Sequence, residues 1–490
     1  MAQLSVNHHR NTQLSQSSPQ HRRAVARACG RNRSSLPSIF NKDLPHHCSQ
    51  KPGQSTIFFF YLALHVNLCL TQLFILLINL LFIIFFLSVF LIRVGFAGET
   101  SPRATIPSKI KLSKTDKIVH IWDYTNTEEL YDALVEFLHH IYFRHLLVNP
   151  RDRRVVVCES VLCPTQFRQT LAKVFFKRYE VPSILFAPSH LTTLFTLGIN
   201  TALVLDAGYN ETTVLPIYEG YPIIKAVESL PLGGKAIHEN LERQLKETGT
   251  IRENGEEHKP LSSVMDSIPA DVLEDIKVRT CFMTNMERAT SIQQSILQGD
   301  DSKWPSPAAS VEYPLNGGRT LTIDGKTREI ACEVLFEMDS DEQSIATLVL
   351  DSILKCPIDM RKPLADNLVF IGGTSLLPGF SHRLLAELKQ LLTKPKYKDC
   401  LAISTFKVHS PPAQAYFTAW LGGAIFGGLE VLSYRSLTRD VFLQTEVVPD
   451  WCSLLPAVTE VEQSAAKDKT PLKSLGLRKP HGEAKGTPEK

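Results

Sequence analysis

From Ile57 to Ile92 the chain runs for thirty-six residues without an Asp, Glu, Lys or Arg, and Phe, Leu and Ile dominate the run. So much contiguous apolar surface has to leave water, either into a bilayer or into a protein core. As one helix it would measure roughly 54 Å, against a hydrocarbon thickness of ~30 Å. More than fifty residues precede it, too many for an ordinary cleaved signal peptide. Basic residues flank both sides, with Arg22, Arg23, Arg27, Arg31 and Arg33 before and Arg93, Arg103, Lys109 and Lys111 after. Topology is therefore poorly specified. Two readings stay open: a single-pass membrane anchor, or a non-homologous segment from a mis-assigned first exon. The residues on its C-terminal side favour the second, because Val94-Gly95-Phe96-Ala97-Gly98-Glu99 enters as though a strand and a turn should precede it.

The compositional breaks divide the rest. Residues 1–56 carry eight Lys/Arg against the single acid Asp43 and are rich in Ser, Gln and His, which predicts a disordered extension. Residues 93–451 have ordinary mixed α/β patterning, and 452–490 form a Lys-, Pro- and Glu-containing tail with no periodicity. A net charge of +3 gives no field that would recruit nucleic acid, and the tail lysines are interleaved with acids. The ten cysteines are scattered, and Cys158 and Cys163 stand at no metal-binding spacing, so reduced, packed thiols are expected. His139, His140 and His145 lack acid or cysteine companions and suggest no metal. Arg151-Asp152-Arg153-Arg154 reads as a solvated turn.

Within the body, Leu130, Leu134, Phe137, Leu138 and Ile141 recur at helical spacing, predicting a helix over 127–147 capped by Thr127. Gln166–Phe176 reads as an amphipathic helix, and the helix around Leu191–Leu197 stops at Gly198. Residues 246–270 read as a charged loop. Leu203-Val204-Leu205-Asp206-Ala207-Gly208 is an apolar strand that ends in Asp-x-Gly, turns, and returns through Thr212 to Tyr218. A hairpin of this kind can present a carboxylate and backbone N–H groups to a phosphate and its metal ion. A second strand, Leu368–Ile371, runs into Gly372-Gly373-Thr374, and the two turns together predict a cleft between α/β lobes.

Several segments now resemble actin and the actin-related proteins, in the family's order. They are Gly95-Phe96-Ala97-Gly98-Glu99 with Pro102-Arg103 and Ile106-Pro107-Ser108, and Leu205-Asp206 with Gly208 and Pro216-Ile217-Tyr218-Glu219-Gly220. Asp275-Ile276-Lys277, Gly372-Gly373-Thr374 with Pro378-Gly379, and Trp420-Leu421-Gly422-Gly423 complete the set. The resemblance spans about 93–451 and implies two α/β domains around a nucleotide cleft. It implies ATP or ADP with Mg, held structurally by Asp206, Gly208, Lys277, Gly372, Gly373 and Thr374, with Asp206 meeting the metal only through the nucleotide. Tyr142–Arg154 is most similar to the branch that ends the actin-like filament of dynactin, the dynein activator.

The departures from the family carry the functional expectation. Ser189 stands where the resemblance implies a water-orienting glutamine, and Thr213 where it implies that glutamine's histidine partner. Tyr209 replaces an acid, Asn210 a glycine, and Val278 a glutamate. Hydrolysis of a γ-phosphate depends on positioning water and clamping charge, so an active ATPase is not expected. The resemblance also implies a phosphate hairpin ahead of Gly95, where this chain has 57–92 instead, so a central strand of one lobe is expected to be missing. Between Ser108 and Val155 only 46 residues remain, fewer than the family's small pointed-end lobe requires. A head-to-tail assembly stops when one face is disabled, so the resemblance implies a non-catalytic terminator. It would work at the pointed end of the dynactin filament, in the cytoplasm and cytoskeleton, supporting dynein-driven transport along microtubules. The competing expectation is a membrane-anchored actin-like protein.

Overall fold

The computed structural model describes residues 82–450 apart from 114–115, 254–258, 300–301, 303 and 430–431. It starts inside the apolar run. Phe82–Phe86 is a strand, β1, joined by a tight turn at Leu87–Phe90 to β2, Leu91–Phe96. The central strand expected to be missing is therefore present, built from the last part of the run. Residues 57–81, where most of the anticipated span falls, lie outside the described residues, as do 1–56 and the tail from 451. Among the described residues no helix is long and apolar enough to cross a membrane.

The reason β1 suits this place is its unbroken hydrophobicity. It pairs antiparallel with β2 and parallel with β6, Arg154–Glu159, so both edges are satisfied. Successive side chains point to opposite faces of a sheet, and a strand covered on both faces reads as a continuous apolar run. Ile83 and Phe85 enter one core, with Leu134, Phe137, Phe167 and Phe175. Phe82 and Ile84 enter another, with Trp420 and Ala424. Each such side chain contributes on the order of 2 kcal/mol of transfer free energy.

Beyond β2 the first sheet continues to β3, Ala104–Pro107. A two-stranded ribbon comes next, β4, Lys109–Lys111, with β5, Ile118–His120. Helix α1, Thr127–His140, then leads through a π-helical turn, Ile141–Leu146, towards β6. Its cap is Asn126, whose side chain accepts from the Glu129 N–H, not the expected Thr127. Helix α2, Thr165–Lys173, precedes β7, Ser183–Pro188, which lies parallel to β6.

Helix α3, Ser189–Leu197, ends at Gly198 in the left-handed region, as expected. The second sheet is centred on β8, Ala202–Ala207, and β9, Thr212–Tyr218, the expected hairpin. Strands β10, Tyr221–Pro222, and β11, Glu228–Leu230, pair with β9. Helix α4, Gly234–Thr248, leads into a four-stranded sheet that the charged sequence did not announce. Its strands are β12, Thr250–Glu253, β13, Lys259–Pro260, β14, Val311–Leu315, and β15, Arg319–Ile323. Helix α5 spans Ala270–Thr280, within which the Lys277 motif lies. Strand β16, Leu368–Ile371, runs parallel to β8 and to β17, Val408–His409. Helix α6 is Phe380–Leu391 and α7 is Thr418–Gly427. The short strand β18, Leu437–Thr438, closes the first sheet against β7.

Helices α7 and α3 lie side by side between the sheets. Trp420 and Ala424 of α7 cover the first sheet, while Leu194 of α3 covers Val204 and Val369 of the second. Glycine permits this approach: a Cβ on Gly422 would stand 1.8 Å from the Thr192 carbonyl oxygen, and one on Gly423 2.4 Å from Cys158 Sγ. Cys158 is thus a packed thiol, as expected. Because Ile84 is wholly buried under α7, Ile84→Ala is expected to lower the unfolding free energy by about 2–5 kcal/mol. Urea unfolding followed by tryptophan fluorescence measures it, and an unchanged midpoint would mean that β1 is not part of the core.

Candidate functional site

Two hairpin turns face each other, one from each sheet: Leu87–Phe90 between β1 and β2, and Gly208–Glu211 between β8 and β9. The first contains no glycine and only one polar side chain, Ser88. Ser108 holds it by its carbonyls. The Ser108 N–H and Oγ both donate to Phe90 O at 3.2 Å, and the hydroxyl also reaches Val89 O.

The second turn is held just as firmly. Gly208 O accepts from the Gly234 N–H at 3.0 Å and from Thr374 Oγ1 at 2.8 Å, and Tyr209 O accepts from the Lys235 N–H at 2.8 Å. These N–H groups belong to the first turn of α4, the donors that a helix N-terminus would otherwise offer to an anion. Gly233 and Gly234 allow the contact, since a Cβ on Gly233 would lie 2.6 Å from Tyr209 O.

Between the turns the ring of Tyr209 stacks on that of Phe90, with centroids 4.8 Å apart. The Tyr209 hydroxyl lies 3.4 Å from His238 Nδ1, and His238 Nε2 lies 2.9 Å from Glu274 Oε2. With Nε2–H donating to the carboxylate, Nδ1 is left to accept from the phenol. Lys277 Nζ donates to the same Glu274 oxygen at 2.6 Å, and the lysine is only 5% exposed. Burial would raise the Glu274 pKa, but the His238 hydrogen bond together with the charge and hydrogen bond of Lys277 outweighs it and holds the carboxyl at about 2.

Deeper in, Arg93 on β2 is 6% exposed, with its guanidinium carbon 5.0 Å from the Tyr416 ring centroid and 5.6 Å from that of Phe86. Desolvation lowers its pKa to about 10, against the charges of Tyr416 and Asp206. At the end of β8, desolvation and the nearby Glu211 push the Asp206 carboxyl up to about 6, with Arg93 opposing. Gly372, at a φ of +89°, lies so close that a Cβ would stand 2.6 Å from Asp206 Oδ1.

The structure thus brings Asp206, Gly208, Tyr209, Lys277, Gly372 and Thr374 to one place. A Cβ on Gly373 would meet open space. Ser189 and Thr213 are buried. Thr213 sits opposite Asp206 in the β8–β9 register, and Ser189 Oγ contacts His190 Nδ1 at 3.3 Å. His190 is fully enclosed, and burial takes its pKa down to about 4, the Thr213 backbone opposing. Val278 is exposed. Sequence reasoning did not single out Phe90, His238 or Glu274, and named Arg93 only as a basic flank of the apolar run. The Glu274/Lys277 pair stands at helical i,i+3 spacing, and Arg93 is the first charge after the apolar run.

A model of the family described as "Actin" matches residues 129–442. The chain belongs to the actin family. Among curated relatives it is similar to "Actin-related protein 10" of Dictyostelium discoideum, at 28% identity over 73% of this chain and 86% of the relative. It is also similar to "Putative actin-29" of the same organism, at 25% identity over 72% and 92%.

Membership brings the expectation of a nucleotide with Mg, and the residues meet it unevenly. On one side Gly373 leaves room beside Thr374. On the phosphate side the ring pair stands between the hairpins and the first donors of α4 are spent on hairpin carbonyls; Lys277, which the resemblance sets in the adenine region, is paired with Glu274. These residues do not fit a phosphate chain.

Because Glu274 is held near 2 in the fold against an ordinary 4.5, it contributes stability above about pH 4.5, and this is lost as pH falls towards 2. Glu274→Gln is expected to unfold at lower urea than the parent near pH 7, with the gap closing as the pH approaches 2. Urea midpoints across that range read this directly, and a gap independent of pH would deny the ionic role.

Proposed function

We propose that this actin-family chain is a structural subunit without ATP turnover that ends an actin-like filament at its pointed end. Its place would be the cytoplasmic cytoskeleton, in a dynactin-type assembly that supports dynein-driven transport along microtubules. The observation that carries the reading is the short connection between β3 and β6. Ser108 to Arg153 supply a ribbon with three residues in each strand, then one helix with its π turn and a short 3-10 turn. A head-to-tail filament needs two complementary faces on every protomer, and a subunit with one face cut back can join the end but cannot be followed.

The likeness to a protein named "Actin-related protein 10" supports the same reading. So does the chemistry around Asp206. Ser189 is too short to reach and orient a water as a glutamine would. Thr213 has no imidazole to share a proton, and Tyr209 offers a ring where a carboxylate is wanted. His190, the neighbouring imidazole, is enclosed and bonded to Ser189.

The test is to mix labelled protein with preformed actin-like filaments and image single filaments. One copy per filament is expected, at the pointed end, with growth there stopped. Copies distributed along the length, or unchanged growth at that end, would overturn the proposal. ATP hydrolysis by the purified chain is expected at the background rate. Actin-like turnover that vanished in Asp206→Ala would refute the non-catalytic part.

A further inference from the structure

The two sheets that flank the cleft belong to different lobes, and something must set the distance between them. In a protein that binds a nucleotide across such a cleft, the ligand does so by binding linkage. Here the structure offers a bridge of its own. Phe90 comes from the first sheet's hairpin and Tyr209 from the second's, and their rings lie 28° from parallel with centroids 4.8 Å apart. Tyr209 is braced from behind by the edge of His238, at 5.4 Å and 70°, and His238 is fixed by Glu274 and Lys277. Both turns are pinned by hydrogen bonds to Ser108, Gly234, Lys235 and Thr374, so the backbone that carries each ring is held in place.

We infer that the Phe90–Tyr209 stack takes the place of nucleotide phosphates as the tie between the lobes, so that this chain folds and holds its closed form without ATP or ADP. One further feature agrees. The α4 N-terminus, a natural anion site, is already capped by Gly208 O and Tyr209 O. Ring pairs of this kind add to the area they bury, and they do so independently of any metal. The inference does not depend on filament capping, since a chain that bound no filament could still be tied this way.

The experiment uses the purified full chain. Nucleotide released by acid denaturation is quantified by chromatography, and thermal unfolding is followed alone, with Mg·ATP, with Mg·ADP and with EDTA. Less than about one-tenth mole of nucleotide per mole is expected, with no shift of the unfolding temperature under any addition. Stoichiometric nucleotide, a rise of several degrees with Mg·ATP or Mg·ADP, or a fall with EDTA would overturn the proposal. Phe90→Ala, Tyr209→Ala and the double variant then test the tie itself. Each single variant is expected to lower the unfolding temperature, and the double variant less than the sum of the two. Strict additivity would show that the rings act separately and would refute the bridge. Tyr209→Phe keeps the ring and is expected to unfold within a degree or two of the parent, so a variant that fails to fold does not leave the question open.

Discussion

The structure depends on a strand that must be covered on both sides. β1 has no polar face, so it is stable only where helices α1 and α2 close one surface and α7 closes the other, with β2 and β6 occupying its edges. Once it is in place, the turn at Leu87–Phe90, the position of Arg93 and the seat of Trp420 are set with it. Trp420 Nε1 donates to Ile84 O at 3.2 Å, and a Cβ on Gly95 would meet the indole at 2.6 Å. The helix pair between the sheets carries this constraint to the second lobe through the Gly422–Thr192 contact.

At the cleft, polar groups that family resemblance assigns to a ligand are bonded to the protein instead. Gly208 O has two donors, Lys277 has its carboxylate, and Tyr209 contacts the rings of Phe90 and His238. A buried cation costs less when paired and hydrogen-bonded, which accounts for Lys277 lying beside a carboxylate held strongly ionised.

Much of this was legible in the residues. The β8–β9 hairpin, the stop at Gly198 and the strand before Gly372 come from local rules on apolar runs and glycine. β1 was not legible, because a membrane helix and a doubly covered strand both require an unbroken apolar run, and only tertiary partners separate them. The sheet of β12 to β15 hid for the opposite reason: its strands are short, charged and half-exposed, with patterns such as that of Thr250–Glu253. The ring pair could not be read at all, since Phe90 and Tyr209 are far apart in the chain and meet only when both hairpins are folded.

The parallel pairing of β1 with β6 has a mechanical consequence. Phe82 stands opposite Arg154 at the start of both strands, at the end of β1 away from the Leu87–Phe90 turn. A pull directed along β1 from Phe82 would load its hydrogen bonds to β2 and to β6 together, in shear rather than one after another. Tension along that line would reach the cleft only after both ladders had slipped.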